Sequence, residues 1–144
     1  LWYSKPPQKM IEGGPMDVTE ESLEKGRGVR KAMSGDASAR TAVTEDAFDL
    51  VPELEEWLLG YVWGEIWSRP ALDLKTRSAL TLALQAVVGA EAPMRAHLVS
   101  ALRLGWSTEE IAEVFVQQLP YVGAPKALAA LRTARDVFAE RGVA

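Results

Sequence analysis

The feature that most restricts what this chain can fold into is its punctuation. From Thr19 onward, apolar residues recur at helical spacing, and each run opens on a capping residue or proline and closes on glycine or proline. Ser107-Thr108-Glu109-Glu110 fits a capping box, in which a hydroxyl and a carboxylate reciprocally satisfy free backbone donors. Thr19 caps a helix predicted over 20–33, with acidic residues in its first turn, Lys31 in its last and Gly35 as its stop. Gly26 and Gly28 each weaken that helix by roughly 1 kcal/mol relative to Ala, so it depends on packing. A short helical turn is predicted over 36–43. Pro52 sits in the first turn of a segment over 53–67 that carries Leu54, Leu58, Tyr61 and Val62 at helical spacing and ends at Pro70. Asp73 opens the next, through Leu80, Leu84 and Val87 to Gly89, and Pro93 begins another, through Met94, Leu98, Ala101 and Leu102 to Gly105. After the capping box, Ile111, Val114, Phe115 and Gln118 share a face until Pro120. The last helix, over 126–141, is expected to bury Leu128, Leu131 and Phe138 before Gly142. Few segments read as strands. The expected fold class is all-α, a single-domain bundle of about six helices over residues 18–144. Residues 1–17, rich in Pro, Gly and Lys, read as a flexible arm or a vector-derived remnant, with Met16 as a native start.

A chain of 144 residues is long enough to bury roughly 70% of the surface its unfolded form exposes, so it needs no staples. It contains no Cys, which excludes disulfides, thiolate metal sites and thiol nucleophiles, and one His, which makes a protein-only zinc site a poor expectation. A net charge of -4 argues against nucleic acid, whose phosphates call for clustered Lys and Arg. No apolar run approaches the ~20 residues needed to cross a bilayer, and the expected location is the cytoplasm.

Three helices place a polar group on the face that periodicity assigns to the interior. Glu65 continues the stripe Leu54, Leu58, Tyr61; His97 lies between Met94 and Ala101; Gln118 continues Ile111, Val114, Phe115. A lone buried carboxylate is costly, so the three together point to a shared pocket rather than to three separate core residues. The segment Tyr61 to Pro70 packs Trp63 and Trp67 around that carboxylate, and Gly64 lets another backbone or a ligand come close. Lys75 and Arg77 open the following helix, as a solvated face or as partners for an anionic substrate.

The run Trp63-Gly64-Glu65-Ile66-Trp67-Ser68-Arg69-Pro70, then Lys75-Thr76-Arg77-Ser78, His97, Gly105 and Tyr121-Val122-Gly123-Ala124-Pro125-Lys126-Ala127, resembles the γ-carboxymuconolactone decarboxylases. The resemblance covers nearly everything from Leu23 onward and implies an all-α subunit of a trimer or hexamer. The same superfamily holds the alkylhydroperoxidase D type peroxidases, which use Cys-x-x-Cys followed by His. Their cysteine positions correspond here to Ala90 and Pro93, and their relay glutamate to Ser78, so a thiol peroxidase is not expected.

The resemblance implies a substrate that is an unsaturated five-membered lactone with one carboxylate on the ring and another on a side arm. Loss of the ring carboxylate sends electrons through the double bond onto the lactone carbonyl, so the substrate is its own electron sink and no cofactor is needed. On this reading His97 is the proton donor or oxyanion partner and Glu65 orients or reprotonates it. Arg77 and Lys75 hold carboxylates, while Trp63, Tyr121 and Gln118 contribute to the walls. Pro120 departs from the family pattern and bends the chain before Tyr121. The alternatives are a cofactor-free enzyme on another lactone or β-keto acid, and a non-catalytic oligomeric subunit. A homo-oligomer is expected because Trp57, Leu58, Trp63 and Trp67 offer more apolar surface than one small bundle buries.

Overall fold

The structure, a computed structural model, describes residues 18–143; the arm read over residues 1–17 lies outside them. The described residues form α1 (Glu20–Ser34), α2 (Glu45–Leu50), α3 (Glu53–Trp57), a π-helix that continues α3 (Leu58–Trp67), α4 (Leu74–Val88), α5 (Glu91–Arg103), α6 (Thr108–Val116), α7 (Leu119–Val122) and α8 (Ala124–Arg141), with no strand among them. The all-α class is as expected, although the chain is cut into more pieces than six.

The caps act as their sequences imply. In α1 the Thr19 hydroxyl accepts from the Ser22 amide at 3.1 Å and the Ser22 hydroxyl accepts from the Thr19 amide at 2.9 Å. The Ser107–Glu110 box at the start of α6 is built the same way, and the Asp73 carboxylate accepts from the Thr76 amide at 2.6 Å to start α4. Gly35 and Gly89 end α1 and α4 with φ of 80° and 72°, a left-handed conformation that suits glycine.

Two expectations fail for local reasons. Residues 36–43 form no helix, because short polar side chains capture the backbone first: Asp36 Oδ1 accepts from the Ser38 amide, Ser38 Oγ from the Arg40 amide and Thr44 Oγ1 from the Thr41 amide. The segment 58–67 is helical but not α. An i→i+5 ladder takes more residues per turn than the 3.6 of an α-helix, so the buried face falls on Leu59 and Trp63 and on Gly60 and Gly64, four apart. Glu65 is thereby turned outward and is exposed, against the interior position that α-helical periodicity assigned it.

Side chains pack in two clusters. Leu82, Leu98, Ile111, Phe115 and Val137 centre the first, between α4, α5, α6 and α8; Met33, Phe48, Leu59 and Trp63 centre the second, between α1, α2 and the π-helix. Helix α5 touches both halves. Leu58, Trp63 and Trp67 belong to the second cluster and so do not form the outward patch expected of them. The exposed apolar stripe lies on α4 instead, where Leu80, Leu84 and Val88 are 52%, 67% and 70% exposed and Ser78, Leu82 and Ala86 face inward. Leu128, expected in the core, is 56% exposed, and α8 packs through Ala127, Ala130 and Ala134.

The tightest approach is between α1 and the π-helix. A Cβ on Gly26 would run into the Leu59 carbonyl, and one on Gly64 into the Ser22 carbonyl; both obstacles are backbone. Gly28, two residues along α1, faces open space. Gly26→Ala should therefore lower stability by roughly 1–3 kcal/mol, as overpacking does. Gly28→Ala should raise it by about 0.4–1 kcal/mol. Urea midpoints of the two variants check this, and a Gly26→Ala protein as stable as its parent would contradict the packing described.

Candidate active site

The crossing of α1 over the π-helix delivers an unusual group to the interior. Ser22, Gly26, Arg30 and Met33 are the buried positions of α1. Because Gly26 lets the helices close up, Arg30 arrives at the face of Trp63 with its guanidinium 4.8 Å from the ring centroid. Arg30 is 6% exposed. Its Nε donates to the Ser38 carbonyl at 3.0 Å, and no carboxylate pairs with it among the described residues. Burial pulls its pKa below the ordinary value, and the charge of Asp36 opposes that only in part.

His97 of α5 also packs against the indoles. The Trp63 and Trp67 rings lie 4.8 Å apart, and His97 stacks on them at 6.2 and 5.9 Å. Its Nδ1 is buried without a hydrogen-bond partner. Desolvation, helped by the positive charge of Arg30, pushes its pKa down to about 4, so the ring is neutral at physiological pH. Arg30, Thr41, Thr44, Leu58, Trp63 and His97 line a cavity of about 130 Å³. A wider groove of about 630 Å³ beside α3 is open to solvent; Arg27 there pairs with Glu20 and Glu24, and Glu55 with Arg40, which leaves Glu56 as its unpaired charge among the described residues. The small cavity is the one that brings an imidazole and a cation together.

Of the residues singled out from sequence, Trp63 and His97 meet in this cavity, and five others do not line it. Glu65 is exposed and Gln118 is buried elsewhere, its Nε2 donating to the Val114 carbonyl at 2.9 Å and its Oε1 unpartnered, so the pocket expected of Glu65, His97 and Gln118 together is not formed. Lys75 spans from α4 to the start of α6, donating to the Gly105 carbonyl at 3.2 Å and to Glu110 at 3.4 Å while lying over Trp106. Arg77 donates to the Arg69 and Leu72 carbonyls and closes the turn before α4. Tyr121 is 77% exposed. Sequence reading passed over Arg30, Thr41 and Thr44. The four-residue spacing of Ser22, Gly26 and Arg30 was the available signal for the first, since it puts the arginine on the same face as the glycine that permits close packing.

Comparison with known proteins agrees with this architecture. Residues 52–136 match the Carboxymuconolactone decarboxylase family. The chain is 30% identical to the 4-carboxymuconolactone decarboxylase of Acinetobacter baylyi over 87% of its own length and 92% of that protein. It is 30% identical to the nitrosuccinic acid decarboxylase of Metarhizium robertsii, over 80% and 83% of the two chains. An uncharacterized 15.0 kDa protein of Paracoccus denitrificans is 37% identical over 63% of this chain. The chain belongs to the carboxymuconolactone decarboxylase family.

The depressed pKa of His97 ties the cavity to stability. Between its unfolded value near 6.5 and its folded value of about 4, the unfolded chain binds the proton and the folded chain does not, so stability falls as pH drops through that window and is insensitive to this group above it. The loss is on the order of 3 kcal/mol. Denaturation midpoints of the parent and His97→Gln proteins, close at pH 7, should separate as pH falls to 4, the parent losing stability that the variant keeps. Parallel curves would show that His97 titrates normally.

Proposed function

We propose that this protein is a cofactor-independent decarboxylase acting on 4-carboxymuconolactone, which it converts to β-ketoadipate enol-lactone, or on a closely related lactone. The observation that carries the reading is the cavity whose lining combines a neutral imidazole stacked on indoles with a buried guanidinium that has no carboxylate partner among the described residues. Such a site suits a reaction whose electron sink belongs to the substrate. The bond from the ring carbon to its carboxylate breaks, carbon dioxide leaves, and the electron pair passes through the double bond to the lactone carbonyl oxygen; one proton then returns to carbon. Apolar walls favour loss of a charged carboxylate, and a donor at the developing oxyanion lowers the barrier. That two of the relatives are named for a carboxymuconolactone and for a nitrosuccinic acid fits this scheme, because a nitro group is also an electron sink.

In this reading His97 supplies the proton or the oxyanion hydrogen bond. An anion entering beside the ring opposes the depression of its pKa in part, which eases proton uptake by the neutral imidazole as the reaction proceeds. Trp63 forms a wall; exposed Glu65 has no direct part. We also propose a homo-oligomer, trimer or hexamer, joined through the outer stripe of α4, because Leu80, Leu84 and Val88 form a contiguous apolar face at helical spacing. Sedimentation should show an oligomer that Leu84→Glu weakens; a parent protein that stays monomeric at micromolar concentration would refute this.

The direct test offers 4-carboxymuconolactone to the purified protein and follows substrate absorbance together with carbon dioxide release. His97→Gln keeps bulk and hydrogen bonding but removes the titrating ring, and should lose on the order of 10²-fold in turnover. Its denaturation midpoint at neutral pH should move little. Unchanged turnover in a well-folded variant would remove His97 from the chemistry, and absence of carbon dioxide release by the parent would overturn the substrate.

A further inference from the structure

Arg30 is a buried cation held at two points and left open at a third. The Ser38 carbonyl fixes its Nε and the Trp63 face fixes its plane, while its terminal nitrogens have no partner among the described residues. Among the described residues it is the one charged side chain in the lining of the cavity that contains His97. A lone buried charge is costly, and a planar fork already oriented by stacking matches a carboxylate better than any other common ligand group.

We propose that Arg30 anchors the carboxylate that the substrate keeps, leaving the departing carboxylate at the His97 end of the cavity. The inference rests on the decarboxylation reading above and assigns the one cation of that site. Pairing Arg30 with the departing carboxylate would stabilise a charge that has to vanish in the reaction, which slows it. The charge on the sink oxygen exists only near the transition state, and a neutral imidazole can meet it with a hydrogen bond. The side-arm carboxylate, in contrast, is an anion from entry to release. It needs a permanent cation to leave water, and neutral His97 cannot serve.

Two measurements test the assignment. Calorimetric titration with succinate, an unreactive dicarboxylate, should show binding at millimolar concentration to the parent and to Arg27→Gln, whose arginine sits outside the cavity on α1. Arg30→Gln, checked for its fold by denaturation midpoint, should bind succinate at least ~10-fold more weakly, the loss expected for a charged hydrogen-bonded pair. With the lactone, Arg30→Gln should raise KM by about the same factor and change kcat by less than about threefold, the pattern of an interaction equal in ground and transition states. Should Arg30→Gln not fold, the arginine side-chain nitrogen signals of the parent carry the test: those of Arg30 shift on adding succinate if it is the anchor. Succinate that does not bind the parent, a folded Arg30→Gln that binds it equally well, an unmoved Arg30 signal, or a loss confined to kcat would each overturn the proposal. Arg30-dependent succinate binding without lactone turnover would instead keep the anchor and refute the substrate.

Discussion

Everything distinctive about this subunit depends on how closely two backbones approach. Gly26 on α1 meets the Leu59 carbonyl, and Gly64 on the π-helix meets the Ser22 carbonyl, with no room for a methyl group at either crossing point. Glycine in a helix interior costs roughly 1 kcal/mol, so two such positions at one crossing are an expense that packing must return. The return is geometric: at that separation the next buried position on α1, Arg30, reaches the ring of Trp63, and the i→i+5 ladder of the π-helix keeps Trp63 and Trp67 on the inner side. Widening the crossing would withdraw the guanidinium from the indole.

The cavity formed in this way holds groups that a purely structural interior would avoid. A guanidinium without a carboxylate and an imidazole with an unpartnered Nδ1 both oppose folding, one by its buried charge and the other by its unmet hydrogen bond. The first also acts on the second. The positive charge of Arg30 adds to desolvation in keeping His97 neutral, so the cavity carries one charge rather than two. A substrate anion changes both terms at once, since it pairs with the cation and makes protonation of the imidazole easier. The cost of burying these groups and their affinity for an anion are thus two aspects of one arrangement.

Much of the fold was legible because its determinants are local. The Thr19, Asp73 and Ser107 caps and the Gly35 and Gly89 stops act through hydrogen bonds within a few residues, which a linear reading captures. Trp63 and His97 were legible as site residues for the same reason, being conspicuous on their own helices and in the resemblance of their surroundings to a known family. The misplacement of Glu65 came from applying an α-helical period to a π-helix, a difference that depends on the neighbour packed against the segment. Leu80 and Leu84 marked a helix but not its outward face, because periodicity finds an apolar face without saying which way it points. Arg30 was passed over because its importance is entirely tertiary: nothing within α1 distinguishes it from Arg27 until Gly26 brings Trp63 beneath it.

His97 packs, half-buried, against two indoles within the field of a buried arginine, and the ring itself can report on this. As the chain has a single histidine, its imidazole nitrogen chemical shifts can be followed through a pH titration of the intact protein without ambiguity. The account predicts a neutral ring throughout the physiological range, with protonation setting in near pH 4. A midpoint at or above 6.5 would mean that the ring is hydrated or paired with an acid, and would contradict the cavity described above.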